Sequence, residues 1–120
     1  MRPMEEYQLI FYEKENGEKP AAEFIRSTEK KMAARIVTDL KLLALEGPTA
    51  REPLSKHLED GIFELRSKQG SNIARVLYFF VVGKKIIVTN GFIKKTMKTP
   101  EAEKDKAKRY RADYLRRYGA

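Results

Sequence analysis

Between Ile62 and Ile93 the apolar residues stop recurring at helical spacing and fall into three extended blocks. No other feature of the chain limits its folds as much. The blocks are Ile62 to Ser67, Asn72 to Val82 and Lys85 to Ile93, separated by Lys68 to Ser71 and by Gly83. Connections that short join neighbouring antiparallel strands, so the segment is expected to form a three-strand meander.

The flanking segments carry other periods. Tyr7 to Tyr12 (YQLIFY) is a short aromatic and apolar run followed by the turn signal Asn16-Gly17, and it reads as a buried strand. Pro20 suits the first turn of a helix in which Ala21, Phe24 and Ile25 recur before a break at Ser27 and Thr28. Ala33, Ile36, Val37, Leu40, Leu43 and Ala44 form the apolar stripe of a second helix, which ends at Gly47-Pro48 and is read as core packing. Thr49 to Asp60, with Pro53, reads as a polar connection. Pro100 opens a final basic helix with Glu101 and Glu103 in its first turn and Arg116 and Arg117 in its last, as the helix dipole favours. Tyr110, Tyr114 and Tyr118 share one face of it, a packing stripe first and a stacking platform for bases only second. The expected architecture is a compact single α+β domain over residues 1–120: N-terminal strand, two helices, antiparallel three-strand meander, C-terminal helix. Helices are expected on one face of the sheet, leaving the other available.

Composition narrows the chemistry. With no Cys there is no disulfide, thiolate zinc site or cysteine nucleophile, and a single His leaves no histidine-rich metal site, so neither metal nor cofactor is expected. No apolar run approaches the roughly 20 residues of a membrane span, and Met1 to Tyr7 carries acidic residues where a signal peptide needs apolar ones, so a cytoplasmic location without membrane contact is expected. Residues 61–120 hold 15 Lys and Arg against 5 Asp and Glu, whereas residues 1–60 hold 10 against 12. That asymmetry fits a polyanion partner, because Lys and Arg release counterions condensed on phosphates, but it also fits a merely soluble basic surface.

Alternation places Phe63 and Leu65 on one face of the first block and Ile62, Glu64 and Arg66 on the other. In the second block Arg75 shares a face with Leu77, Phe79 and Val81, opposite Ala74, Val76, Tyr78 and Phe80. An unpaired buried guanidinium would cost several kcal/mol, so Arg75 is solvated at a strand end, paired with a carboxylate such as Glu64, or binds an anion. Lys94 and Lys95 point to opposite faces unless a bulge at Gly91 changes the register.

The ordered blocks GIFELRS, ARVLYFF and GFIKKTMKTP, followed by a basic helix with Ala107, resemble the HigB-like, phage-derived branch of the RelE/ParE superfamily of toxins from type II toxin-antitoxin systems. The two preceding helices and the SKHL segment fit as well, so the resemblance covers nearly the whole chain. It implies a RelE-like α+β fold, metal-independent and ribosome-dependent cleavage of mRNA that inhibits translation and growth, and neutralisation by a helix-turn-helix antitoxin encoded by an adjacent gene. Residue by residue it implies catalytic roles for Arg66, Arg75, Lys94 and Lys95. An RNA 2′-hydroxyl attacking the adjacent phosphate needs a proton acceptor, charge stabilisation and a donor to the leaving oxygen. Arginine suits the second of these roles, and a lysine crowded by other cations can serve as a base. Where some relatives place a tyrosine or histidine as acid or base, Thr96, Met97 and Lys98 stand here. His57 and Lys56, in the loop before the ELR strand, are secondary catalytic candidates, with a solvated loop histidine as the plainer account. Lys84, Lys85, Lys98, Lys108, Arg109 and Arg111 are the expected RNA- and ribosome-binding cations.

A ParE-like gyrase inhibitor without nuclease activity is the alternative, and a non-catalytic nucleic-acid-binding protein a third reading. The arginine and lysine set favours the nuclease. An acidic antitoxin could cover Lys94, Lys95 and the final helix, or dock on the helical face from Ala21 to Leu45.

Overall fold

The computed structural model describes residues 6–119, so Met1 to Glu5 and Ala120 lie outside the described residues. Eight regular elements follow in the order β1 (Gln8–Phe11), α1 (Pro20–Ser27), α2 (Lys30–Glu46), β2 (Ser55–Glu59), β3 (Ile62–Gln69), β4 (Asn72–Val81), β5 (Lys85–Ile93) and α3 (Glu101–Tyr118). The expected meander is present as β3, β4 and β5, but it is the centre of a five-stranded sheet ordered β1-β5-β4-β3-β2. β1 adds to one edge in parallel with β5, and β2 adds to the other edge antiparallel to β3.

β2 corrects the reading of Thr49 to Asp60 as a connection. Its sequence Ser-Lys-His-Leu-Glu offers little apolar alternation because an edge strand needs only one packed flank, and Ser55 alone in it is buried. Lys56 and His57 therefore sit on a strand, paired with Glu64 and Phe63 of β3.

The sheet is covered on both faces, which corrects the expectation of an open one. On one side α1 and α2 bury Ala21, Ile25, Ile36, Leu40 and Leu43 against Leu65, Val76, Tyr78, Ile86 and Val88. On the other, α3 lays Ala107, Tyr110 and Tyr114 over Ile62, Leu77, Phe79 and Ile87. Each fully buried aliphatic side chain contributes about 1.5–3 kcal/mol. Tyr110 stacks on Tyr12 with centroids 4.7 Å apart and Tyr114 meets Phe79 edge-on, whereas Tyr118 is exposed. The tyrosine stripe is thus packing at two of its three positions. In α2 the buried side chains are Met32, Ile36, Asp39, Leu40, Leu43 and Ala44, so Val37 of the expected stripe faces solvent and a carboxylate has replaced it inside.

Candidate functional site

Arg66 and Arg75 are register partners on β3 and β4, facing each other across the ladder on the α3 side of the sheet. Like charges placed directly opposite repel. The offset comes from Glu64, two residues along β3 and fully buried, whose Oε2 accepts from Arg66 Nε at 3.0 Å and whose Oε1 accepts from Arg75 Nη1 at 3.3 Å. Thr99, just before α3, donates its hydroxyl to Glu64 Oε1 at 2.7 Å and accepts from Arg75 Nη1 at 2.9 Å. Of the three accounts open for Arg75, the structure shows the ion pair with Glu64.

The two arginines are not equivalent. Arg75 is 3% exposed, and its buried Nε has no hydrogen-bond partner among the described residues. The Arg66 side chain is 27% exposed and reaches Glu52 at 3.5 Å. Arg66 can therefore meet a ligand, while Arg75 holds Glu64 and Thr99 in place.

Both arginines line two clefts. The first, of about 550 Å³, is completed by Arg35, Asp39 and Leu42 of α2, Pro53 and Leu54, Lys68, Ile73 and Lys94. Five cations and one carboxylate line it, which suits a polyanion, and its volume lies in the usual range for ligand sites. The second, of about 330 Å³, includes Lys56, His57, Met97, Lys98, Thr99 and Lys104.

Lys94 reaches the first cleft because β5 carries a bulge. The register of β4 against β5 slips between Leu77 and Tyr78, whose partners are Asn90 and Val88, so Thr89 is the extra residue. Before it Ile86 and Val88 face α1 and α2, and after it Phe92 has moved to the α3 side. An uninterrupted strand would send Lys94 to the α1–α2 side. The Lys94 amide donates to Ile73 O at 2.7 Å, continuing the ladder beside Arg75. The bulge thus lies at Thr89 and not at Gly91. Gly91 instead allows a close approach, since a Cβ there would come within 2.9 Å of Phe24 Cε2 and 3.2 Å of Arg75 O.

The remaining sequence candidates separate. Lys95 is exposed and lines neither cleft. His57 accepts the Gly61 amide on Nε2 at 3.2 Å and packs edge-on against Phe63, which leaves Nδ1 as its other nitrogen. Lys56 and Lys98 are exposed on the second cleft. Lys84 and Lys85 lie at the β4–β5 turn, six residues along β4 from Arg75, roughly 20 Å at strand rise. Lys108 pairs with Glu59 and Asp60, and Arg111 donates to the Asp60 carbonyl, so both fasten α3 to the β2–β3 turn. Lys108 and Lys104 together hold the Glu59 carboxyl down at about 2. Arg109 is exposed on α3.

Sequence reasoning missed Thr99, Asp39, Arg35 and Lys68. Asp39 left one signal, as the only acidic residue between Lys30 and Leu45, inside an otherwise apolar arc. Its Oδ2 accepts from Ser67 Oγ at 2.7 Å and from Arg35 Nε at 3.2 Å. Thr99 left none, since no local pattern announces a partner 35 residues away.

The family model described as phage derived protein Gp49-like (DUF891) matches residues 23–112, which contain every residue lining the two clefts. No curated protein matches the chain.

Proposed function

The chain belongs to the phage derived protein Gp49-like family (DUF891), and from that premise we propose that it is a HigB-like member of the RelE/ParE toxin superfamily, a ribosome-dependent mRNA endonuclease neutralised by an antitoxin from an adjacent gene. The observation that carries the reading is the placement of Arg66. It stands at the junction of two clefts, backed by one buried carboxylate and faced by a second arginine, with Lys68, Lys94 and Arg35 alongside.

A guanidinium held this way can bind the non-bridging oxygens of a phosphodiester and stabilise the charge that grows on them as the 2′-oxygen attacks. Glu64 fixes Arg66 through Nε and the exposed Glu52 carboxylate stands 3.5 Å from Nη1, so Nη2 is the group left for phosphate. Arg75 acts as a positioning residue by sharing Glu64. Lys94 brings a proton donor into the same cleft. The ribosome would supply the extended substrate geometry that a small open cleft does not impose.

Brief induction of the protein without its antitoxin, followed by primer extension on cellular mRNAs, tests this. Cuts should fall within translated frames and vanish from a reporter whose initiation is blocked. Intact transcripts with altered DNA supercoiling would replace the reading with the gyrase inhibitor, and equal cutting of naked RNA would remove ribosome dependence.

A further inference from the structure

We infer that Asp39 is the proton acceptor for the attacking 2′-hydroxyl, a role that rests on the endonuclease reading above. Among the described residues lining the larger cleft it is the only carboxylate, set among Arg35, Arg66, Lys68, Arg75 and Lys94. A carboxylate facing a phosphate site weakens ground-state binding of an anion, so its presence there calls for a chemical role or a purely structural one.

The hydrogen bonding favours the chemical role. Both bonds that Asp39 accepts end on Oδ2, from Ser67 of β3 and Arg35 one turn earlier on α2. Its Oδ1 accepts none among the described residues, and Asp39 contributes no buried unpaired oxygen. Oδ1 is therefore neither bonded nor sealed off, while Oδ2 fixes the carboxylate's orientation. The other candidates have other tasks: His57 already uses Nε2 on the Gly61 amide, and Lys94 is the cleft's donor to the leaving oxygen.

In the cleavage step the 2′-hydroxyl gives its proton to Asp39 Oδ1 as the O2′–P bond forms. The P–O5′ bond breaks, its electron pair goes to O5′, and the Lys94 ammonium protonates that oxygen. The products are a 2′,3′-cyclic phosphate and a 5′-hydroxyl, and the proton on Asp39 returns to Lys94 through solvent. Arg66 holds the non-bridging oxygens throughout. A positioned base of this kind is worth on the order of 10²–10⁴ in rate.

Single-turnover cleavage on programmed ribosomes tests the assignment, with ribosome affinity and thermal melting measured on each protein. Asp39→Asn should cleave at least about 10²-fold more slowly with affinity within about twofold of wild type. Asp39→Glu, which keeps charge and pairing but moves the oxygen, should lose on the order of 10-fold. Ser67→Ala, which keeps the carboxylate, should lose less than Asp39→Asn. A folded Asp39→Asn that cuts at the wild-type rate overturns the assignment and leaves the endonuclease reading standing. If Asp39→Asn does not fold, Asp39→Glu decides, and a wild-type rate there also overturns it. Wild-type protein that leaves the mRNA intact removes the endonuclease reading and this assignment together.

Discussion

Arg66 and Arg75 face each other across β3 and β4, and one buried carboxylate, Glu64, holds both. Their different exposure separates two effects that the sequence alone would assign equally to each. Arg66→Ala removes a partly exposed guanidinium and should lower mRNA cleavage on the order of 10²-fold, with a smaller loss of stability than Arg75→Ala because water can reach the Glu64 oxygen it leaves. Arg75→Ala leaves Glu64 buried with only Arg66 and Thr99 of its three partners and should cost about 3–5 kcal/mol of stability, read by denaturant unfolding. Replacing the pair together, Glu64→Leu with Arg75→Met, should recover most of that loss. Equal stability of the two single variants would show that Arg75 is not the structural partner.

The β5 bulge makes a second prediction at Gly91, where a side chain would enter Phe24 and approach the Arg75 carbonyl. Gly91→Ala should destabilise by about 1–3 kcal/mol through overpacking. Deleting Thr89 should reverse the faces of the residues after it and withdraw Lys94 from the larger cleft. The readout is thermal melting beside RNA binding: Gly91→Ala moves chiefly the first, and the Thr89 deletion moves both.

How much of this was legible follows from which residues announce themselves by period. The strands β3, β4 and β5 and all three helices showed in the apolar spacing, and alternation put Glu64 and Arg66 on one face of their strand, whereas the register that brings Arg75 to the same face is a cross-strand property. The edge strands were harder. β2 alternates too weakly because one flank stays in solvent, and the parallel pairing of β1 with β5 depends on a crossover through α1 and α2 that spacing does not encode. α3 covering the second face was also hidden. Its charged residues read as a solvent or RNA surface, yet Lys104 and Lys108 meet Glu59, and Arg116 and Arg117 meet Asp113. The cations of residues 61–120 are thus partly balanced by Glu15, Glu52, Glu59 and Asp60 from the first half of the chain.

The same pairings set the response to acid. Hydrogen bonds from Lys108 and Lys104 hold Glu59 at about 2, and a bond from the Tyr12 hydroxyl, 2.6 Å away, leads those that hold Asp113 at about 2. Both lie below the ordinary carboxylate range near 4, so the folded state binds fewer protons than the unfolded one there. The stabilisation is present above pH about 4 and is lost as pH falls towards 2. Melting temperature should drop across that window, and the drop should shrink in Glu59→Gln and Asp113→Asn.

Alkali acts through the tyrosines in the opposite sense. Burial is the main cause that raises Tyr78 to about 12, and burial followed by the Asp113 bond raises Tyr12 to about 12. A raised phenol favours the protonated fold below pH about 10, and the unfolded chain ionises first above it. Stability should therefore fall between pH 10 and 12. Tyr78→Phe should flatten that limb, at the loss of the bond with Ser55. An unchanged slope would show that Tyr78 is not its source.

The last prediction separates cations that can meet RNA from those already engaged. Lys94 and Lys68 line the larger cleft, whereas the Lys108 ammonium lies between Glu59 and Asp60, 3.3 Å from the latter. A phosphate contact releases condensed counterions, so each contact with a single strand steepens the fall of log K with log salt by about 0.7. Binding of a fluorescent single-stranded RNA, titrated across salt concentrations, should lose about that slope in Lys94→Ala and again in Lys68→Ala. Lys108→Ala should leave the slope alone, because the lysine gives up carboxylate contacts and not phosphate ones. If Lys108→Ala flattens the slope while Lys94→Ala does not, the RNA runs along α3, and the cleft between α2 and the end of the sheet is not its path.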